Sequence, residues 1–268
     1  MAAIQHAACG VPASLYLPIA RGAMNRNLYA GQAAARALEA VAAIRAGIAA
    51  PPDALEETAR VLFGLDPGRL ALAPPAEPVL LQGYLKPFAG VRHAHYPAVA
   101  AMAWRARHGG TDGITAIGIE TYSEAITYAG NRAPGGAIQA QFSLSWATAQ
   151  ALRAGTLGPE AYRPAALADP ETRRLEAIVA LAVDPSRDAS GTRGARLRVA
   201  RGPEETEVVV DGIPGEPMDE AGVRAKAIAY AGPVIGRDAA ARLAEAILTA
   251  RADASFASCF AGPASGPT

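Results

Sequence analysis

The chain has 268 residues and a formal net charge of +0, enough length for one large or two modest domains, with no bulk charge to draw it to nucleic acid or an anionic membrane. Cys9 and Cys259 are its only cysteines, too far apart for a zinc spacing or a disulfide framework. No apolar run approaches the ~20 residues of a membrane span, and Met1 to His6 lack the basic start of a signal peptide; the expected location is the cytoplasm, with no metal and no cofactor.

The first part reads as helical. Ala33 to Arg45 is alanine-rich, with Leu38, Val41 and Ile44 spaced to share a face and Gly47 as the stop. Asp53 to Glu56 predicts a capping box opening a helix to Phe63. Asp66 to Pro78, rich in proline, reads as a linker, and Val79 to Tyr84 as a short strand. Pro97 begins a predicted helix to Arg107, ended by Gly109 and Gly110. Ile114 to Tyr122 reads as a strand, Phe142 to Arg153 as a helix, and Asp169-Pro170-Glu171 as a helix start.

Ile178 to Val183 enters a strand, and Arg196–Val199 with Glu205–Asp211 form a predicted hairpin around Arg201-Gly202-Pro203. Helices follow at Asp219–Tyr230 and Asp238–Arg251. The Gly-, Pro- and Ser-rich end reads as a disordered tail. The order helical, mixed, helical predicts an α+β protein. A helical domain in two pieces, residues 1–75 and 214–258, receives a small lid-like α+β domain at 76–213, and 259–268 is tail.

The chemistry concentrates in Lys86 to His95, which holds a lysine, an arginine and two histidines in ten residues. Only Lys86 and Lys226 are lysines against an arginine-rich background. A lysine can change protonation state when desolvated and an arginine cannot. Arg92 can grip a carboxylate with two parallel hydrogen bonds, or pair structurally with a carboxylate of the small domain. His95 is the natural acid/base, whereas His93 reads as a surface residue. Ser143 stands between a substrate-binding hydroxyl and a helix cap; no Gly-x-Ser-x-Gly context marks it as a nucleophile.

These segments resemble, in order, the MmgE/PrpD family, which includes 2-methylcitrate dehydratase and cis-aconitate decarboxylase. Leu28 to Ala34 resembles its Leu-His-x-Gly-x-Ala-Ala segment, and Lys86 to His95 its Lys-Pro-Tyr-Pro-x-x-Arg-x-x-His segment. Gln141 to Trp146 resembles Gln-Phe-Ser-Leu-Pro-Tyr. Asp169-Pro170 matches the family's usual Asp-Pro, Gly215 to Met218 resembles the Gly-Asp-Pro-x-x-Pro turn, and Lys226 fits the lysine of the helix after it. The resemblance covers roughly residues 12–256. It departs at Tyr29, where histidine is usual, at Arg26, where lysine is common, and at Trp146, where tyrosine stands.

The resemblance implies a metal-independent lyase that dehydrates or decarboxylates a small carboxylate. Lys86, His95 and Tyr29 are its expected catalytic residues, and Arg92, Arg26, Trp146 and Ser143 its substrate contacts, Trp146 as an apolar wall. It also implies that the chain starts inside the family's helical domain, without an Asp- and His-containing region that lines the site. Three readings follow. The chain is half of a split lyase completed by a partner chain, or a self-sufficient homodimer with a more apolar pocket and another reaction such as isomerisation or cyclisation, or a non-catalytic scaffolding subunit.

Overall fold

The computed structural model describes residues 24–69, 76–77, 83–214, 216–251 and 255. The chain divides into two compact units, residues 1–82 with 135–139 and residues 83–134 with 140–268.

In the first unit, a turn at Met24–Leu28 leads into α1 (Tyr29–Arg45), and α2 spans Ala54–Phe63. Gly47 stops α1 as expected. With its positive φ, its amide donates to Ile44 and that of Ile48 to Ala43, satisfying two carbonyls that a helix end leaves unpaired. Only Ala40 of α1 is buried; Leu38 and Val41, predicted to share an apolar face, are exposed. The predicted capping box differs at its first residue. Asp53 precedes α2 but its side chain makes no capping bond, because φ −107° and ψ 13° take it out of the extended conformation an N-cap residue uses. The linker contributes a short turn at Pro67–Arg69. Residues 70–75, most of the predicted strand at 79–84, and the predicted tail lie outside the described residues; Gly83 and Tyr84 are not in a strand.

The second unit is α+β. Its sheet has the order β2-β1-β3-β4, from β1 (Ile114–Thr121), β2 (Val179–Val183), β3 (Ala195–Arg201) and β4 (Glu204–Val210). β1 and β2 run parallel, while β3 is antiparallel to β1 and to β4. Alternation decides the two faces. Ile117, Ile119, Ala195, Leu197, Val199 and Val208 point into the core. On the opposite face Arg196 and Arg198 bridge Glu120 of β1 and Glu207 of β4. Such half-exposed pairs add little stability but suit a wet face.

Against the inner face lies α3 (His95–His108), packed on β3, β4 and α6 (Leu144–Ala154). Trp104 of α3 donates its indole N–H to Thr206 of β4 at 2.7 Å, which pins the helix under the hairpin. α3 begins two residues before the predicted Pro97, because the turn Arg92–Ala94 feeds it directly and a proline is tolerated in a first turn. Leu144 to Leu152 of α6 are all buried. Ser143 caps α6 by accepting from the Trp146 amide, and Asp169 caps α8 (Pro170–Ala177) by accepting from Thr172.

Short helices that carry no long periodic signal complete the unit: α4 (Ser123–Ala129), α7 (Pro164–Ala168) and α9 (Pro185–Ser190). A further short helix, α5 (Ala137–Gln141), follows the Pro134 to Gly136 loop and falls mostly in the first unit. The last helices are α10 (Glu220–Ile235) and α11 (Arg237–Leu248). α10 runs past the predicted end at Tyr230, through Pro233, to the positive-φ Gly236. Among the described residues no helix is long and apolar enough to cross a membrane.

Candidate active site

The segment 83–91 carries no regular structure and is held by three backbone ties. The Ala89 amide donates to Leu157 at 2.9 Å, the Val91 amide donates to Gln141 at 2.8 Å, and the Tyr162 hydroxyl donates to the Ala89 carbonyl at 3.2 Å. Gly90 between them has φ +90°, and a Cβ there would lie 2.4 Å from the Tyr162 oxygen. No other residue fits that place without displacing the tyrosine. The tight turn brings Lys86 back on itself, its ammonium donating to the Gly90 carbonyl at 3.2 Å.

Lys86, Arg92 and His95 come together here, and the charges of the first two are felt at the third. His95 is fully buried as the first residue of α3, with the edge of Phe88 against its ring at 5.5 Å. The Ala89 and Gly90 backbone lies close, yet neither ring nitrogen has a hydrogen-bond partner among the described residues. Burial, with the Lys86 and Arg92 charges beside it, pushes the imidazole down to about 4. At neutral pH it is an uncharged imidazole, able to accept a proton or to donate one hydrogen bond. This corrects the expectation of a group titrating near neutrality: desolvation and two cations penalise the imidazolium.

A stability prediction follows. In the unfolded chain His95 titrates near 6.5, and in the folded chain at about 4. Between those values the unfolded state binds a proton that the folded state does not. His95 therefore costs nothing above pH 6.5, and stability falls as pH drops from there towards 4, by up to about 3 kcal/mol. Urea unfolding across that window should show a pH slope that His95→Gln removes. Identical slopes in the two proteins would mean that the histidine is not sealed.

Arg92 meets the carboxylate of Glu216 and lies over the Tyr84 ring at 4.2 Å. Its partner thus comes from the turn before α10, not from residues 76–213, so the pairing expected within the small domain is made outside that span. Lys226 of α10 donates to the Lys86 carbonyl and lies 5.2 Å from the Tyr230 ring; burial lowers its pKa. His93, read from sequence as a surface residue, is half-buried instead. Its Nδ1 is 2.7 Å from the Tyr122 hydroxyl, and burial lowers its pKa too.

The other expected residues stand elsewhere. Trp146 is fully buried, its indole N–H donates to the Ala161 carbonyl at 3.0 Å, and Arg173 stacks over it at 5.0 Å. It forms core, tied to the 83–91 segment through Ala161 and Tyr162, and the expected wall has no open surface. Ser143 is buried, its hydroxyl donating to Asn131 at 2.6 Å while accepting from Trp146, and this is the helix-cap reading. Ser145 beside it donates to Glu176, which also receives Arg132 and the Ala133 amide, a satisfied polar network. Tyr29 opens α1 in the first unit, and the side chain of Arg26 lies outside the described residues. The residues sequence reasoning missed are Glu216, Tyr84 and Tyr162. Glu216 stood inside a recognised motif, but nothing local linked it to Arg92.

No group of three or more His, Cys, Asp or Glu residues that could hold a metal ion occurs among the described residues. The family model described as the MmgE/PrpD C-terminal domain matches residues 88–251, most of the chain. The chain belongs to the MmgE/PrpD family. The match takes in Arg92, His95, Glu216 and Lys226 and begins just after Lys86. MmgE/PrpD proteins are generally lyases and dehydratases, and membership supports that type of activity here. No curated protein matches the chain.

Proposed function

We propose that this MmgE/PrpD chain is a subunit of a lyase that removes water or carbon dioxide from a small carboxylate by metal-independent acid/base chemistry. The observation that carries the reading is the convergence of Lys86, Arg92 and an unpartnered, uncharged His95 on one glycine-dependent turn. Eliminating water beside a carboxylate needs a base for the α-proton, an acid that protonates the departing hydroxyl so that it leaves as water, and cations for the charge that develops on the enolate. His95 supplies the base, the Lys86 ammonium can protonate the departing hydroxyl, and Lys86 and Arg92 supply positive charge beside it.

In this reading residues 1–75 and 214–258 belong to one helical domain, with 76–213 inserted, and a partner chain completes it. The uncovered helices support the partner. α10 is largely apolar yet buries none of its residues, and a concavity of about 640 Å³ runs along its Ala221, Ala225, Ile228 and Ala229. Val234 and Ile235 at its end are exposed, and in the first unit so are Leu38, Val61, Leu62 and Phe63. Exposed apolar helix surface of this extent favours cover by another chain.

The test is native mass and turnover together. The chain, alone and co-expressed with the products of neighbouring genes, is incubated with hydroxy- and unsaturated di- and tricarboxylates, and the new or lost carbon–carbon double bond is read by ultraviolet absorbance. A heteromeric complex that turns one of them over, while the lone chain does not, is the expected result. A fully active monomer would remove the partner, and no turnover by either form would remove the lyase reading.

A further inference from the structure

The chain keeps only two lysines, and they meet: Lys226 of α10 donates its ammonium to the main-chain carbonyl of Lys86. Other ties on this segment fall further along it, where the Ala89 and Val91 amides and the Ala89 carbonyl are held by Leu157, Gln141 and Tyr162. Arg92 at the far end meets Glu216, from the turn before α10. α10 and the turn that leads into it therefore reach the segment at both of its cationic ends. The contact at Lys86 has a particular use. Pro87 offers no amide, so the Lys86–Pro87 peptide can be held only through its carbonyl. Lys226 takes that one handle. Fixing the peptide fixes the root of the Lys86 side chain, whose ammonium runs back to the Gly90 carbonyl at 3.2 Å, near enough to His95 for its charge to be felt there.

We propose that Lys226 is a positioning residue: by holding the Lys86–Pro87 peptide from α10, it sets the place of the Lys86 ammonium beside His95. Its bearing on turnover rests on the reading of this turn as a lyase site. A half-buried ammonium is a costly filler for a helix face, and burial does lower the pKa of Lys226. The Lys86 carbonyl receives its proton and the Tyr230 ring, 5.2 Å away, its charge. The reacting cation thereby depends on a helix that also carries the exposed Ala221, Ala225 and Ala229, the surface on which the proposed partner would sit.

Because burial, Lys86 and Arg92 together depress the His95 imidazole, its pKa reports where the Lys86 ammonium stands, and NMR reads it without substrate. Lys226→Met, which keeps an unbranched stem and a good helix former but no donor, should raise the His95 pKa as Lys86→Ala does, and by less. Lys226→Gln, a polar variant whose amide falls short of the ammonium's position, should raise it too and serves if Lys226→Met folds poorly. In a Lys86→Ala background Lys226→Met should add no further rise, since the two act through one group. In the assembled enzyme Lys226→Met should lower kcat by about tenfold or more, with KM within about threefold of the unaltered protein. An unchanged His95 pKa overturns the proposal. So does an equal rise in the Lys86→Ala background, which would mean that Lys226 acts by its own charge or by loosening the fold. Turnover that Lys86→Ala abolishes and Lys226→Met leaves intact overturns it as well. If Lys86→Ala itself leaves turnover intact, the lyase reading fails, and the titration still decides the positioning role by itself.

Discussion

Lys86→Ala should lower turnover of the assembled enzyme by about 10²–10³-fold, chiefly in kcat. The ammonium is positioned at 3.2 Å from the Gly90 carbonyl, and its charge is strong enough at His95 to help depress that imidazole. A cation held in advance in a poorly solvated site stabilises developing negative charge without reorganising when the reaction occurs. A loss confined to KM would place Lys86 in ground-state binding of a carboxylate. Lys86→Arg should not restore the rate. A planar fork cannot occupy the turn that closes a compact ammonium onto the Gly90 carbonyl, and a guanidinium does not give up its proton. Lys86→Ala should also raise the His95 pKa, since one of the cations holding it down is gone. That rise can be followed by NMR of the imidazole without any substrate. Turnover within about threefold of the unaltered protein would remove Lys86 from the chemistry and favour a scaffolding role.

Trp146→Ala should destabilise the protein by about 3–5 kcal/mol, the cost of emptying a large aromatic site in a packed core. Trp146 has 0 % exposure, and every residue around it from Leu144 to Leu152 is buried. On the scale of a protein this long, the midpoint of thermal unfolding should drop by roughly 10 °C. Trp146→Phe keeps most of the buried area but leaves the Ala161 carbonyl without its donor, and should cost about 1–2 kcal/mol. Because Ala161 precedes the Tyr162 that braces Gly90, this milder variant should also loosen the Lys86 turn and lower activity without touching substrate. An unaltered melting temperature in Trp146→Ala, with carboxylate binding lost, would instead make Trp146 a wall of the pocket.

The elements legible in the sequence are those whose signals are local. Gly47 and Gly155 end α1 and α6 because a left-handed residue closes a helix wherever it stands. Asp169-Pro170 opens α8 because cap and fixed φ act within one turn. The hairpin of β3 and β4 is legible because its alternation and the Gly202-Pro203 turn lie side by side in the chain. The short helices α4, α5, α7 and α9 escape such reading, since five to seven residues hold too few turns for a periodic face. Asp53 shows the reverse failure: the cap residue is present, but its backbone leaves the conformation in which the side chain reaches an amide.

By itself the sequence determined the α+β class, the family, and the gathering of Lys86, Arg92 and His95, because all three rest on residue order and short spacings. Only the tertiary structure decided what those residues can do. Burial at the start of α3, beside Lys86 and Arg92, keeps His95 uncharged. The turn before α10 carries Glu216 to Arg92. Packing draws Trp146 and Ser143 away from any open surface. Charge state and access depend on desolvation and on neighbours distant in the chain, and a linear spacing carries neither.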